Sequence, residues 1–234
     1  VEIIRGCELG VQGQYGEIHL LGLWLPRHSA PLDAELARLR GHREERNLKI
    51  LDRLRSIGIN IGYQEVLDEA GGESVGRPHI ARVLQKRGIV SNFVQAFELY
   101  LGYYGAAYVP RTLLTPEEGV SLMADLGAVV SFAHPMLIRC PPSWFDEIIP
   151  RLKEAGLGAI EAYHSEHSAR DERFCVELAA RYGLGLSGGS DYHGMAKPGV
   201  ELGRGKGGLR VTVALLDALK ARRKRPVDDA PEVL

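Results

Sequence analysis

No stretch of the chain approaches the roughly 18 consecutive apolar residues of a membrane span, and the N-terminus lacks the long apolar core of a signal peptide. Cysteine is scarce: Cys7, Cys140 and Cys175 are odd in number and show no CxxC spacing. That argues against a disulfide framework and a zinc knuckle, and for a cytoplasmic protein. Charge of one sign is lacking too. The 29 Lys and Arg against 30 Asp and Glu give a net charge of −1, so no global basic field exists to hold duplex DNA, whereas a small charged substrate remains compatible. With 234 residues and 45% hydrophobic content, the chain can bury a full core as one large α/β domain or a domain with an insertion. The first residue is Val1 rather than methionine, and residues 1–4 already read as a strand. The expectation is a chain that begins partway into its domain.

What is present changes texture twice along the sequence. A strand near 1–4 and a second over 16–24 are joined by the glycine-containing stretch 10–16. From Pro31, Leu32, Leu36, Leu39, Ile50, Leu54 and Ile57 recur near the 3.6 period, predicting a long helix that stops at Gly58. Shorter helices follow over 64–70, 76–87 and 91–99. After Pro110 the pattern alternates: helix 115–126, strand 128–133, helix 143–155, strand 158–163, helix 167–182, strand 184–187. Thr115 before Pro116-Glu117-Glu118 is an N-cap with acidic first-turn residues. Such alternation predicts parallel βα units in a barrel or doubly wound sheet. The basic run 221–225 reads as a solvated helix end.

The chemistry-bearing residues fall at strand ends, where the loops of βα folds converge. Leu184-Gly185-Leu186 leads into Asp191-Tyr192-His193. Residues two apart in an extended backbone project from one face, so Asp191 and His193 can share a metal ion. The run 128–133 ends in His134-Pro135, where proline closes the strand just past the imidazole. His164 ends the next strand, Glu8 follows the first strand and His19 lies within the second. Carboxylates and imidazoles without thiolates suit zinc, manganese or iron in a hydrolytic centre. Each also has a plainer reading: a lone His19 in an apolar strand is more often a hydrogen-bonded core histidine than a ligand, and His134 before proline is by itself a weak ligand signal. Two costly polar groups beside a buried run, as at Asp191 and His193, require compensation. Cys7, Cys140 and Cys175 read as packing residues, and His28, His42 and His167 as surface groups.

Taken in order, Gly6-Cys7-Glu8-Leu9, Glu17-Ile18-His19-Leu20-Leu21-Gly22-Leu23, Gly76-Arg77-Pro78-His79-Ile80-Ala81-Arg82, Tyr108-Val109-Pro110, Ala133-His134-Pro135, Gly189-Ser190-Asp191-Tyr192-His193 and Glu201-Leu202-Gly203-Arg204 form a pattern that resembles the PHP (polymerase and histidinol phosphatase) phosphoesterases. The branch is that of nucleoside 3′,5′-bisphosphate phosphatases and the related 5′-to-3′ exoribonuclease, and the likeness covers almost the whole chain. It implies an α/β fold, a distorted (β/α)7 barrel over 1–30 and 111–234, with a helical insertion over 31–110 that contributes to the substrate site. It also implies two or three divalent metals (Mn, Zn or Fe). Glu8 would be a shared carboxylate, with His19, His134, Asp191 and His193 completing the metal shell. Arg77 and His79 would face the substrate phosphate, Arg77 by a charge-assisted contact, and His164 would neighbour the substrate. The family's Asp-x-His-x-His motif and its following Asp-His pair do not occur in the 234 residues, and Met136-Leu137-Ile138 stand where relatives carry a more polar group. The expected barrel is therefore N-terminally incomplete, with open sheet edges that favour association with another copy.

The mechanism this implies is hydrolysis of a phosphate ester in a nucleotide or short RNA. Paired metals lower the pKa of a bound water toward roughly 7 and supply hydroxide for in-line attack, and Arg77 stabilises charge on the phosphoryl oxygens. His79 or His193 protonates the leaving oxygen. Two other classes stay open: a catalytically impaired metal- or nucleotide-binding remnant of the same fold, and an amidohydrolase acting on a C–N bond. Arg77 beside His79 favours phosphate.

Overall fold

The computed structural model describes residues 2–72, 74–194 and 197–223. The chain divides into two compact units, Val1–Leu32 with Leu113–Leu234, and Asp33–Thr112.

The first unit is built on one five-stranded sheet in the order β1-β2-β3-β4-β5. Strands β1 (Gly6–Gly13) and β2 (Gly16–Leu23) form an antiparallel hairpin, and β3 (Val129–Phe132) continues the antiparallel pairing on β2. Strands β4 (Leu157–His164) and β5 (Gly185–Gly189) then add in parallel. The parallel βα units expected after Pro110 thus hold from β3 to β5, and the strands ahead of them pair antiparallel. The expected strand at 1–4 is also displaced: residues 2–5 are outside any strand, and the stretch expected to be a connection is β1 itself. Leu9 and Val11 alternate onto the buried side, while Gly10 lies opposite His19, where an added Cβ would stand 2.3 Å from Glu17 Oε1. Low strand propensity masked a strand whose glycines make room for long polar neighbours.

The two sheet faces differ in character. Leu9, Val11, Ile18, Leu20, Val130, Phe132 and Ile160 lie on one face and are buried. That face is covered by α5 (Pro116–Ala124), α6 (Ser143–Ala155) and α7 (Ala169–Tyr182). Phe132 meets Trp144 and Phe145 of α6, and Phe145 meets Phe174 of α7. Helix α5 opens as its sequence predicts: Thr115 Oγ1 accepts from the Glu118 N–H, and the Glu118 carboxylate accepts from Thr115. The opposite face carries small and polar groups, among them Ser131 and Ser187, whose buried hydroxyls are 2.6 Å apart. Helix α8 (Val213–Lys220) packs Leu216 and Leu219 there, against Leu23, Val129 and Ala159. Beyond α8, exposed Arg222 donates to Gly183 O and half-buried Arg223 stacks on Trp24, so this part of the basic run lies at a helix end as expected but is anchored at Arg223. Lys224 and Arg225 lie outside the described residues.

The second unit is helical. It contains most of α1 (Ala30–Ser56), then α2 (Tyr63–Ala70), α3 (Arg77–Lys86) and α4 (Phe93–Ala96), the last running into a π-helical turn, Phe97–Leu101. Ile50, Leu54, Ile61, Val66, Ile80, Leu84 and Leu101 form its own core. Among the described residues there are five strands, where the resemblance implies seven. No helix among them is long and apolar enough to cross a membrane.

Candidate active site

The polar face of the sheet gathers the predicted ligands of the first unit. Register places Glu8 opposite Leu21 and Gly10 opposite His19, so Glu8 and His19 are diagonal neighbours on one face. His19 Nδ1 is 2.6 Å from Glu8 Oε1. His134 follows β3, and its Nε2 is 3.3 Å from both Glu8 Oε1 and His19 Nδ1. Asp191 and His193 follow β5, with His193 Nδ1 3.2 Å from Asp191 Oδ1. Glu8 belongs to two clusters, one with His19 and His134 and one with Asp191 and His193, the ligand atoms of each lying within 4.8 Å of one another. Glu8 lies inside β1 rather than after a first strand. Glu8, His134, Asp191 and His193 border a cavity of about 450 Å³ whose lining also includes the apolar Ile4, Leu23, Leu215 and Leu219, whereas His19 does not line it.

Local backbone geometry aims two of these side chains. Among the described residues the non-glycine positions with positive φ are Trp24, His134 (φ 27°) and Asp191 (φ 54°). Left-handed backbone is costly for such residues and persists where its surroundings hold it. The holding group at His134 is Glu161, whose Oε2 accepts the His134 main-chain N–H at 2.7 Å. Glu161 was not singled out from the sequence. Its signal was a lone charge in the apolar run Ala159-Ile160-Glu161-Ala162, and it is only 4% exposed. Lys197 was also missed: its Nζ lies 2.5 Å from Asp191 Oδ2 and 3.3 Å from Glu166 Oε1.

His164 is buried against this group. Its Nδ1 accepts the Glu166 N–H, and its Nε2 stands 3.4 Å from Asp191 Oδ2 without a hydrogen bond. His167, expected at the surface, is half-buried because Nδ1–H donates to Ala162 O. His42 is half-buried and His28 exposed, while Cys7, Cys140 and Cys175 are free thiols. Arg77 and His79 belong to the second unit. There Arg77 donates to Leu101 O and stacks on Phe97. The buried His79 ring accepts the Gly76 N–H at Nδ1 and so caps α3.

The electrostatics follow from this crowding. Hydrogen bonds from His134 and His19 hold the Glu8 carboxyl well below the usual carboxylate range, against the effect of burial. Glu17 and Glu8, flanking the His19 ring, raise its pKa to about 9. Burial pushes Glu161 up to about 7, partly offset by the His134 N–H. Burial, then the neighbouring His167, pushes His164 down to about 4. Burial opposes ionisation of Asp191, but the Lys197 ammonium outweighs it and the net shift is downward.

The donor set fits a divalent cation. Two imidazole nitrogens face each other across one carboxylate oxygen at His19, His134 and Glu8, an arrangement better satisfied by a shared cation than by protons alone. Imidazole with carboxylate, and no thiolate, is the ligand chemistry of zinc, manganese and iron.

Comparison with known proteins points the same way. No family model matches the chain. It is 29% identical over 193 residues to a 5′-3′ exoribonuclease of Haemophilus influenzae, covering 82% of this chain and 70% of that protein. A 3′,5′-nucleoside bisphosphate phosphatase of Chromobacterium violaceum is 26% identical over 229 residues, covering 97% of this chain and 80% of that protein. A solved structure from Bifidobacterium adolescentis, provisionally described as a metal-dependent phosphoesterase, superposes with a TM-score of 0.75 at 25% identity, covering 95% of this chain and 77% of that one. The chain is thus similar, over most of its length, to hydrolytic phosphoesterases and nucleases.

Proposed function

We propose that the chain is a metal-dependent hydrolase of phosphate esters, acting on a nucleotide such as a nucleoside 3′,5′-bisphosphate or on a short oligonucleotide. The carrying observation is the convergence of Glu8 with His19 and His134 on one side and with Asp191 and His193 on the other. Those five residues would hold divalent cations, which when bound supply Lewis-acid charge stabilisation and activation of water. His193 Nδ1 is hydrogen-bonded to the main-chain O of Asp191 at 3.0 Å, leaving Nε2 of a half-exposed ring to ligate a cation or, when the Asp191 end holds none, to give a proton to the leaving oxygen. His79 suits that role less well, since its buried ring already caps a helix. Ser131 and Ser187 are paired with each other inside the sheet, so neither is poised as a nucleophile, which favours attack by water. The phosphate contact that the resemblance implies for Arg77 is a separate part of the proposal, to be read as a rise in KM in Arg77→Ala.

The test is turnover of a nucleoside 3′,5′-bisphosphate and of a 5′-phosphorylated oligonucleotide with Mn, Zn or Fe, alongside metal stoichiometry. Two or three bound ions, and a loss of more than about 10²-fold in kcat in Asp191→Ala, a scale typical of removing one charge-stabilising group, are expected. Undiminished turnover in that variant refutes the assignment. One loosely held ion without turnover would favour a non-catalytic binding protein.

A further inference from the structure

The two carboxylate oxygens of Asp191 differ in how they are held. Oδ1 faces His193 Nδ1 at 3.2 Å, and Oδ2 takes Lys197 Nζ at 2.5 Å with His164 Nε2 at 3.4 Å. The ion-pair partners of Glu8, by contrast, are His19 and His134, which are themselves candidate ligands. The two ends of the centre therefore differ: one is gathered by its own ligands, the other is occupied by an ammonium that cannot ligate a cation in its charged form.

We propose that Lys197 is a built-in competitor for the cation at Asp191, so that the Asp191–His193 end loads after, and more weakly than, the Glu8–His19–His134 end. This rests on the reading that these residues hold divalent cations. A cation approaching Asp191 meets the Lys197 charge and must displace it. Somewhere for that charge to go is already in place. Glu166, on the loop after β4, lies 3.3 Å from the same Nζ, and Lys206 approaches its carboxylate at 3.4 Å. Lysine suits such a shuttle, being a compact charge with three rotatable donors on a flexible four-carbon stem. Moving Nζ fully onto Glu166 frees Asp191 Oδ2 with a side-chain rotation. Lys206 tempers the attraction of Glu166 and keeps the two positions of Lys197 close in energy. The consequence is an exchangeable cation beside His193, the residue assigned to the leaving oxygen, and a permanent one at the hairpin.

The experiment is calorimetric titration of the metal-free full chain with Mn²⁺. Wild type should show a tight and a weak class. Lys197→Met, which removes the ammonium but keeps the stem, should tighten the weak class by about 10- to 100-fold, the range over which partners of metal ligands act, and leave the tight class unchanged. Glu166→Gln should weaken the weak class, because Lys197 then has Asp191 as its remaining carboxylate. Opposite signs at two residues in one ion-pair chain are not what loss of packing produces, and circular dichroism checks that both variants fold. Equal classes in wild type, or an unchanged or weakened second class in Lys197→Met, overturn the competitor and leave the hydrolase reading standing. No cation bound by wild type removes both.

Discussion

His134 sits on left-handed backbone immediately before a proline, a combination that costs on the order of 1–3 kcal/mol. The Glu161 carboxylate buried beneath it holds the main-chain N–H. Glu161→Ala should release that N–H and let His134 relax, lowering Mn²⁺ affinity by about 10- to 100-fold. Glu161→Gln, whose amide oxygen can still accept, should keep most of it. The same residue gives a pH signature in metal-free protein. Its folded pKa is raised from 4.5 to about 7, so the folded state binds a proton that the unfolded state lacks between those values. The stability this contributes is present below pH 4.5 and lost as pH rises through 7, by about 3 kcal/mol as an upper figure. His164, lowered from 6.5 to about 4, runs in the opposite sense over much of that window, so the readout is a difference. Urea melts in chelator should show Glu161→Gln gaining stability relative to wild type from pH 5 to pH 8, and a flat difference would place the charge of Glu161 elsewhere. The ligands themselves were legible because polar residues at the ends of apolar runs stand out. Glu161 and Lys197 were not, since a lone glutamate within a strand and a loop lysine carry no spacing that ties them to partners 27 and 6 residues away.

The hairpin is held from below by close approaches of α5, at Gly119 and at Met123 against Gly22. An added Cβ at Gly119 of α5 would lie 2.6 Å from Val11 Cγ1 and 3.1 Å from Leu20 Cδ1. Gly119→Ala therefore overpacks the face opposite Glu8 and His19. Overpacking costs about 1–3 kcal/mol, and the better helix propensity of alanine returns up to about 1 kcal/mol, so denaturant melts should show a net loss of about 1–2 kcal/mol. The same shift of β1 against β2 should weaken Mn²⁺ binding, although residue 119 touches no ligand. An unchanged melt would mean that α5 moves freely over the hairpin. Helices were the readable elements, α1 by its 3.6 period and α5 by its N-cap and acidic first turn, because their signals are local. Strand β1 was not, because its three glycines answer to close neighbours on β2 rather than to local propensity. The helix expected over 91–99 is found as α4 running straight into a π-helical turn, Phe97–Leu101.

Within the first unit, β1 and β5 are the opposite edges of the sheet, and a flat five-stranded sheet would separate them by about 19 Å, four spacings of about 4.8 Å. Ligand atoms of Glu8, from β1, and of Asp191 and His193, just past β5, nevertheless lie within 4.8 Å of one another. The sheet must curl strongly around its polar face, a property of the whole assembly that strand-by-strand reading does not contain. A cation shared by Glu8, Asp191 and His193 then ties together residues 183 and 185 positions apart, across the two edges that hydrogen bonding leaves open. Such a ligand binds the folded state alone, since the unfolded chain does not hold these groups together. At a hundredfold excess over its dissociation constant it should add about 2.7 kcal/mol, or about 5–10 °C in melting temperature for a unit of this size. Glu8→Gln removes the carboxylate common to both clusters and should abolish the gain. Asp191→Asn touches one cluster and should leave part of it. A thermal melt with and without Mn²⁺ separates these cases: a full gain retained in Glu8→Gln would mean that the cation is held elsewhere, and an equal loss in both variants would mean that the two clusters act as one site.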